Sequence, residues 1–137
     1  MPVLNELAAY VATLGLGTVG TSIHIATMPE TDPSSTSGTM CAVYEYPGLQ
    51  SDLGFGDTGV KHSNPSVQVV FRGVPYDYAS PRSNAGVAWD GFAGVQATTL
   101  SGTYYYLIRP SEVFRMKVDE QHRHYLAFNC QVMKDPS

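Results

Sequence analysis

Residues 4–27, LNELAAYVATLGLGTVGTSIHIAT, contain GLGTVG at 15–20, which matches the dinucleotide-binding pattern G-x-G-x-x-G letter for letter. The flanks decide what it is. Leu4, Leu7, Ala8, Val11 and Ala12 recur at helical spacing on one face, and Pro2 with Glu6 suits a first turn, so the pattern predicts a helix over about 3–14. After the glycines, Ile23 and Ile25 alternate with polar neighbours as a half-buried strand does. A nucleotide fingerprint needs the opposite order, strand before and helix after, so that the pyrophosphate rests on the helix N-terminus. Gly15 or Gly17 is therefore a left-handed residue past a helix end, with Gly20 easing the chain into the strand.

Working outward, MCAVYEY (40–46) is apolar on both faces, as a strand inside a sheet is. VQVVFR (67–72) alternates and ends at Gly73. In YDYASPRSNAGVAWDGF, Asp77 can cap, Pro81 falls in a first turn, and Ala85, Ala88, Trp89 and Phe92 share one face of a second helix that Gly91 or Gly94 ends. VQATTL, GTYYYLIR, EVFRMKV and RHYLAFNCQVM then read as strands. In the last, His124, Leu126, Phe128, Cys130 and Val132 face one way and Tyr125, Asn129 and Gln131 the other. Two helices and about seven strands, without strict βαβ alternation, predict an α+β fold: a largely antiparallel sheet with two main helices packed on it. The expectation is a single domain over 1–137 with a polar loop at 29–39, a long loop at 47–66 and a short C-terminal tail at 134–137.

The totals narrow the function. Forty-three per cent hydrophobic residues, with nine tyrosines and five phenylalanines, supply a core. Eight basic residues against twelve acidic give a net charge of -4, with no basic stripe to follow phosphates. No apolar run approaches the ~20 residues that span a bilayer, and the first residues carry no basic region of a secretion signal. Specific nucleic-acid binding and membrane insertion are not expected. Cys41 and Cys130 sit in strand-like runs, as small hydrophobes do, and fit a reducing compartment.

No constellation carries catalysis. GFGDTGVK (54–61) is a near miss of a phosphate loop: its lysine comes one place late, His62 stands near where Ser or Thr is required, and a strand follows. Asp52 and Asp57 lack the acidic ladder of a calcium loop. Cys41 with His24 is a conceivable dyad, yet both lie in alternating runs. His122 and His124 are two ligands where zinc needs more, and Tyr104, Tyr105 and Tyr106 lack the basic surround of a base-stacking platform. No cofactor, metal or enzymatic activity is expected.

What remains is segment order. A short helix, a glycine turn and strand, VYEYPG (43–48), the long loop, PSVQVVFRGVPYDYA (65–79) leading into a helix, and DEQHRHYLAFNCQV (119–132) resemble the minor capsid or tail terminator proteins of long-tailed, siphovirus-type bacteriophages, over nearly the whole chain. The pieces that carry the likeness are Glu45 to Gly48, Gln68 with Arg72 and Gly73, and Asp119 with Glu120, Arg123 and Asn129. Gln121 and His122 depart from it, standing where a glycine-containing turn is expected.

The resemblance implies a structural protein of the virion tail, at its head-proximal end and made in the host bacterial cytoplasm. It would form a ring of six copies that caps the tail tube protein and meets a head-completion or connector protein. A head-to-tail adaptor or stopper is the alternative, and a small ligand-binding α+β domain a further one. Such a ring needs two different complementary patches on each subunit. Tyr46, Leu49, Leu53 and Phe55 are candidate apolar contacts, since four such residues in a polar loop need a place to be buried, in a neighbour or in their own domain. Arg72 and Arg123 are candidates to pair with Asp119 or Glu120 across a subunit boundary, and a net negative ring suits a channel through which DNA slides.

Overall fold

The computed structural model describes residues 2–28, 39–46, 52–53, 60–62 and 65–135, with the backbone alone at 2, 46, 52–53 and 60–62. Two helices, α1 (Pro2–Thr13) and α2 (Ala79–Ala93), accompany nine strands: β1 (Ile23–Ile25), β2 (Met40–Tyr46), β3 (Asp52–Leu53), β4 (Val60–His62), β5 (Ser66–Pro75), β6 (Gln96–Leu100), β7 (Thr103–Pro110), β8 (Phe114–Val118) and β9 (Arg123–Lys134).

Strand β9 organises the sheet. Along one edge it pairs antiparallel with β5, from Ser66↔Gln131 to Pro75↔Arg123. Its other edge is shared: β8 takes the first half (Phe114↔Ala127 to Val118↔His124) and β7 the second (Tyr105↔Lys134 to Pro110↔Cys130). Ser111 bridges the gap, its N–H donating to the Asn129 carbonyl (2.7 Å) while its Oγ accepts from the Asn129 N–H (3.0 Å). The main order is β1-β2-β5-β9-β7-β6. All pairings between these strands are antiparallel save β1 with β2, which is parallel (Ile23↔Cys41).

Both helices pack on one face, against alternate residues of the central strands: Cys41 and Val43, Val67, Val69 and Phe71, then Leu126, Phe128, Cys130 and Val132. From α1 come Leu4, Leu7, Ala8 and Val11, and from α2 Ala85, Ala88 and Phe92. Phe92 joins the layers, its ring 5.4 Å from Tyr10 and 5.8 Å from Phe128. Tyr10 OH also donates to the Gly91 carbonyl (2.8 Å), tying helix to helix. The Asp77 carboxylate accepts the Ser80 N–H (3.1 Å) at the start of α2, as an N-cap does. At Gly73 the strand runs so close to that turn that a Cβ would lie 2.8 Å from the Asp77 carbonyl oxygen and 2.9 Å from the Pro81 ring.

Three details correct the sequence reading. Strand β5 continues through Gly73 to Pro75. The stretch 47–66 is not loop throughout, since β3 and β4 pair antiparallel (Asp52↔His62, Leu53↔Val60) and Ser66 already belongs to β5. Glu6 does not serve a first turn but lies beyond it, buried, where its carboxylate accepts the Thr103 hydroxyl (2.5 Å) and the Tyr105 hydroxyl (2.6 Å) of β7. Burial and that carboxylate together push the Tyr105 phenol well above its ordinary range.

Candidate functional site

The residues singled out from sequence do not converge on one place. Leu49 and Phe55 lie outside the described residues. Tyr46 ends β2 and Leu53 belongs to the β3–β4 hairpin. Arg72, expected at the surface, is fully buried on the sheet face away from the helices, opposite Met40 and Tyr125, and donates to the Met40 sulfur at 3.1 Å. That face is apolar here too: Val70, Tyr125 and Ala127 cluster with Met28 and Tyr44.

Asp119 and Arg123 pair within the chain rather than being left to a neighbour, with Nε 2.7 Å from Oδ2. The Asp119 carboxylate builds the β8–β9 turn. Its Oδ1 accepts the N–H groups of Gln121 (2.9 Å) and Arg123 (3.0 Å), and its Oδ2 accepts Tyr125 OH (3.2 Å). Partial burial pushes this carboxyl upward, but the Arg123 backbone and guanidinium and the Gln121 N–H outweigh it and hold it below the usual carboxylate range. His122, at φ 62°, takes the left-handed place of the three-residue hairpin loop that glycine normally fills, so this turn is closed by a strained non-glycine residue. Glu120 is exposed at the tip.

The remaining chemical candidates resolve into structure. Cys41 shares the helix-facing side with its partner Ile23, so the adjacent His24 projects from the opposite side and no dyad forms. Cys41 and Cys130 are free, two strand spacings apart across β5 and four residues out of register with each other (Cys41 opposite Phe71, Cys130 opposite Val67), well beyond disulfide reach. Burial pushes both thiols far above their ordinary range. His122 stacks on Tyr76 (4.7 Å) and His124 meets Tyr78 edge-on (5.5 Å), and among the described residues no group of three or more His, Cys, Asp or Glu can hold a metal. Tyr105 enters the core, while Tyr104 and Tyr106 stand exposed, 5.0 Å apart. No described helix is long and apolar enough to cross a membrane.

Sequence reasoning missed two surface features. Every residue of β8 is exposed, with Lys117 set over the Tyr125 ring at 4.6 Å. Beside it, between α2 and the β7–β8 connection, an open groove of about 400 Å³ is lined by Arg82, Gly86, Trp89, Asp90, Glu112 and Val113. Trp89 is fixed there by its indole N–H, which donates to the Ser111 carbonyl at 2.6 Å. Two further hollows of about 410 Å³ lie at the β8–β9 turn and between Gly15 and Asn84, and both are open to solvent. Half-open hollows with scattered charges suit protein contact better than a small substrate, which is usually enclosed on most sides.

No family model matches the chain, and no curated protein matches it. Solved structures do. A chain from the virion of a native gene transfer agent (GTA) particle superposes with a TM-score of 0.63 at 16% identity, over 92% of this chain and 84% of that one. A second solved chain superposes with a TM-score of 0.53 at 12% identity, over 100% of this chain and 99% of that one. At these identities the likeness is one of fold: an antiparallel sheet with two helices on it, of a kind found in a virion particle.

Proposed function

We propose that the chain is a non-enzymatic structural virion protein that acts as a tail terminator, a homo-oligomeric ring of six that caps the tail tube and joins it to a head-completion protein. The observation that supports this most is the fold it shares, across 92% of its length, with a chain of the GTA virion. The segment order of the sequence points the same way. The inert thiols, the open hollows and the lack, among the described residues, of a metal-holding cluster all suit assembly better than turnover.

In this reading Tyr46, Leu49, Leu53 and Phe55 supply apolar contacts to neighbouring proteins. Arg72, Asp119 and Arg123 act inside the subunit, holding the sheet and its turn, and Glu120 is the one of that set that reaches outward. The test is to mix the purified chain with the tail tube protein encoded beside it and to image the tubes. A ring at one end of each tube, with growth arrested there, is the expected result; bare tubes that keep growing refute it. A ring found on the head connector instead would make the protein an adaptor. In the assembled particle the lumen is expected to be acidic, and a basic lumen would remove the argument from DNA passage.

A further inference from the structure

Four rings crowd one end of the sheet. Tyr76, just past β5, keeps 76% of its surface in solvent and stacks on His122 of the β8–β9 turn at 4.7 Å. Beside them Tyr78 is exposed and meets His124 edge-on. Tyr76 and His122 both hold left-handed backbone, at φ 67° and 62°, and the Tyr76 N–H donates to the His122 carbonyl at 2.8 Å. Strained non-glycine residues persist only where their surroundings fix them, and here the strain holds two rings out in water rather than in the core. Rings locked by their neighbours lose little freedom on binding, and exposed tyrosines of this kind are what protein interfaces draw on.

The far end of β9 carries a second aromatic patch. Tyr104 and Tyr106 stand edge to face at 5.0 Å, and with Met133 they keep 36%, 40% and 36% of their surface in solvent. Here the Asp135 N–H donates to the Tyr104 carbonyl, so the two patches flank residues 122 and 135, which lie about 40 Å apart along the strand. Each end also holds one acid and one cation at similar spacing. At the first, Lys117 stands three residues before Glu120; at the second, Arg109 pairs with Gln131, four residues before Asp135.

We infer that these two ends meet in neighbouring copies of the chain: the Tyr76–His122 end of one subunit packs on the Tyr104–Tyr106 end of the next, head to tail round the ring. The inference rests on the ring reading and names the two unlike patches that reading requires. A twofold contact sets one patch against its own copy and leaves the other in water, whereas a head-to-tail contact covers both on every subunit. The chemistry of the ends is complementary. Glu120 of one copy faces Arg109 of the next and Lys117 faces Asp135, at the rim of a contact whose centre is tyrosine and histidine rings against tyrosine rings and the Met133 sulfur.

Paired thiols read the contact directly, because the native Cys41 and Cys130 are buried. Glu120→Cys and Arg109→Cys are made singly and together in the full chain, mixed with the tail tube protein and treated with a short bismaleimide; each removes only a rim charge, which contributes little. The double variant is expected to cross-link into a ladder that ends at six chains. An equimolar mixture of the single variants should stop at pairs, and either single variant alone should stay at one chain. Tyr76→Ser with Tyr78→Ser should lower the fraction of capped tubes by about tenfold or more, with an unchanged circular dichroism spectrum. Rings without a ladder, single variants that pair with themselves, or a folded double serine variant that caps as well as wild type overturn the inference and leave the tail-terminator reading intact. A ladder with no ring on any tube keeps the head-to-tail contact and overturns that reading. Neither ladder nor ring overturns both.

Discussion

Tyr105→Phe isolates the polar contact that pins α1 to the sheet. The ring of Tyr105 is fully buried and its hydroxyl donates to Glu6 at 2.6 Å, so the substitution removes one oxygen and keeps the packing. Glu6, a largely buried carboxylate, then retains the Thr103 hydroxyl as its remaining side-chain donor. A hydrogen bond to a charged group contributes about 1.5–3 kcal/mol, and the stranded carboxylate places the expected cost toward the upper end. With a urea dependence of about 1–3 kcal/mol per molar for a chain of this size, the midpoint should fall by about 1 M. Replacing all three groups at once, Glu6→Leu with Thr103→Val and Tyr105→Phe, removes the buried polar atoms together and should recover much of the loss. Urea melts of the wild type, the single variant and the triple variant supply the comparison. A Tyr105→Phe protein within about 0.5 kcal/mol of wild type would refute the claim that this carboxylate depends on both hydroxyls.

Gly73→Ala, which drives a methyl against the Asp77 carbonyl and the Pro81 ring, should cost about 1–3 kcal/mol in the same melts, far more than an alanine on an open surface. His122→Gly should stay within about 0.5 kcal/mol, because relief of the left-handed backbone offsets the lost stack on Tyr76, whereas His122→Val should lose about 1–2 kcal/mol. The Asp119 carboxyl is lower in the folded chain than in the unfolded one, so its stabilisation is complete above the unfolded value near pH ~3.9 and is lost as pH falls through the folded value; Asp119→Asn should flatten that part of an acid titration of stability. Cys41 and Cys130 should resist a thiol reagent at neutral pH in the native protein and react only as the chain unfolds, and rapid labelling of the native protein would contradict their burial.

The helices and central strands were legible because each carries a strong local period. The reading of a helix over 3–14 meets Pro2–Thr13, and the strand read at 40–46 is Met40–Tyr46. The turn glycines were legible because Gly15, at φ 80°, needs the conformation that only glycine adopts freely. Strands β3 and β4 were not, since two or three residues hold no periodicity. Arg72 was misplaced because alternation separates two sides of a strand without saying that both are covered, as they are along β5. Glu6 was misread because an acid early in a helix has two physical uses, and only the tertiary partner, 97 and 99 residues away, distinguishes them. The groove beside β8 joins residues from α2 and the β7–β8 connection, a meeting that no window of sequence contains.

The placement of β9 has a consequence for synthesis. It is the last of the described strands to emerge from the ribosome, yet β5, β7 and β8 all depend on it for their pairing. Until residues 123–134 are out, the nascent chain can form its helices and the β1, β2 and β5 pairings but leaves the long inner edge of β5 open. Closure is then a late, long-range event, of the kind that proceeds slowly and exposes unpaired edges to other chains in the meantime. A premature stop before residue 123 would therefore yield a sticky fragment rather than a shortened protein.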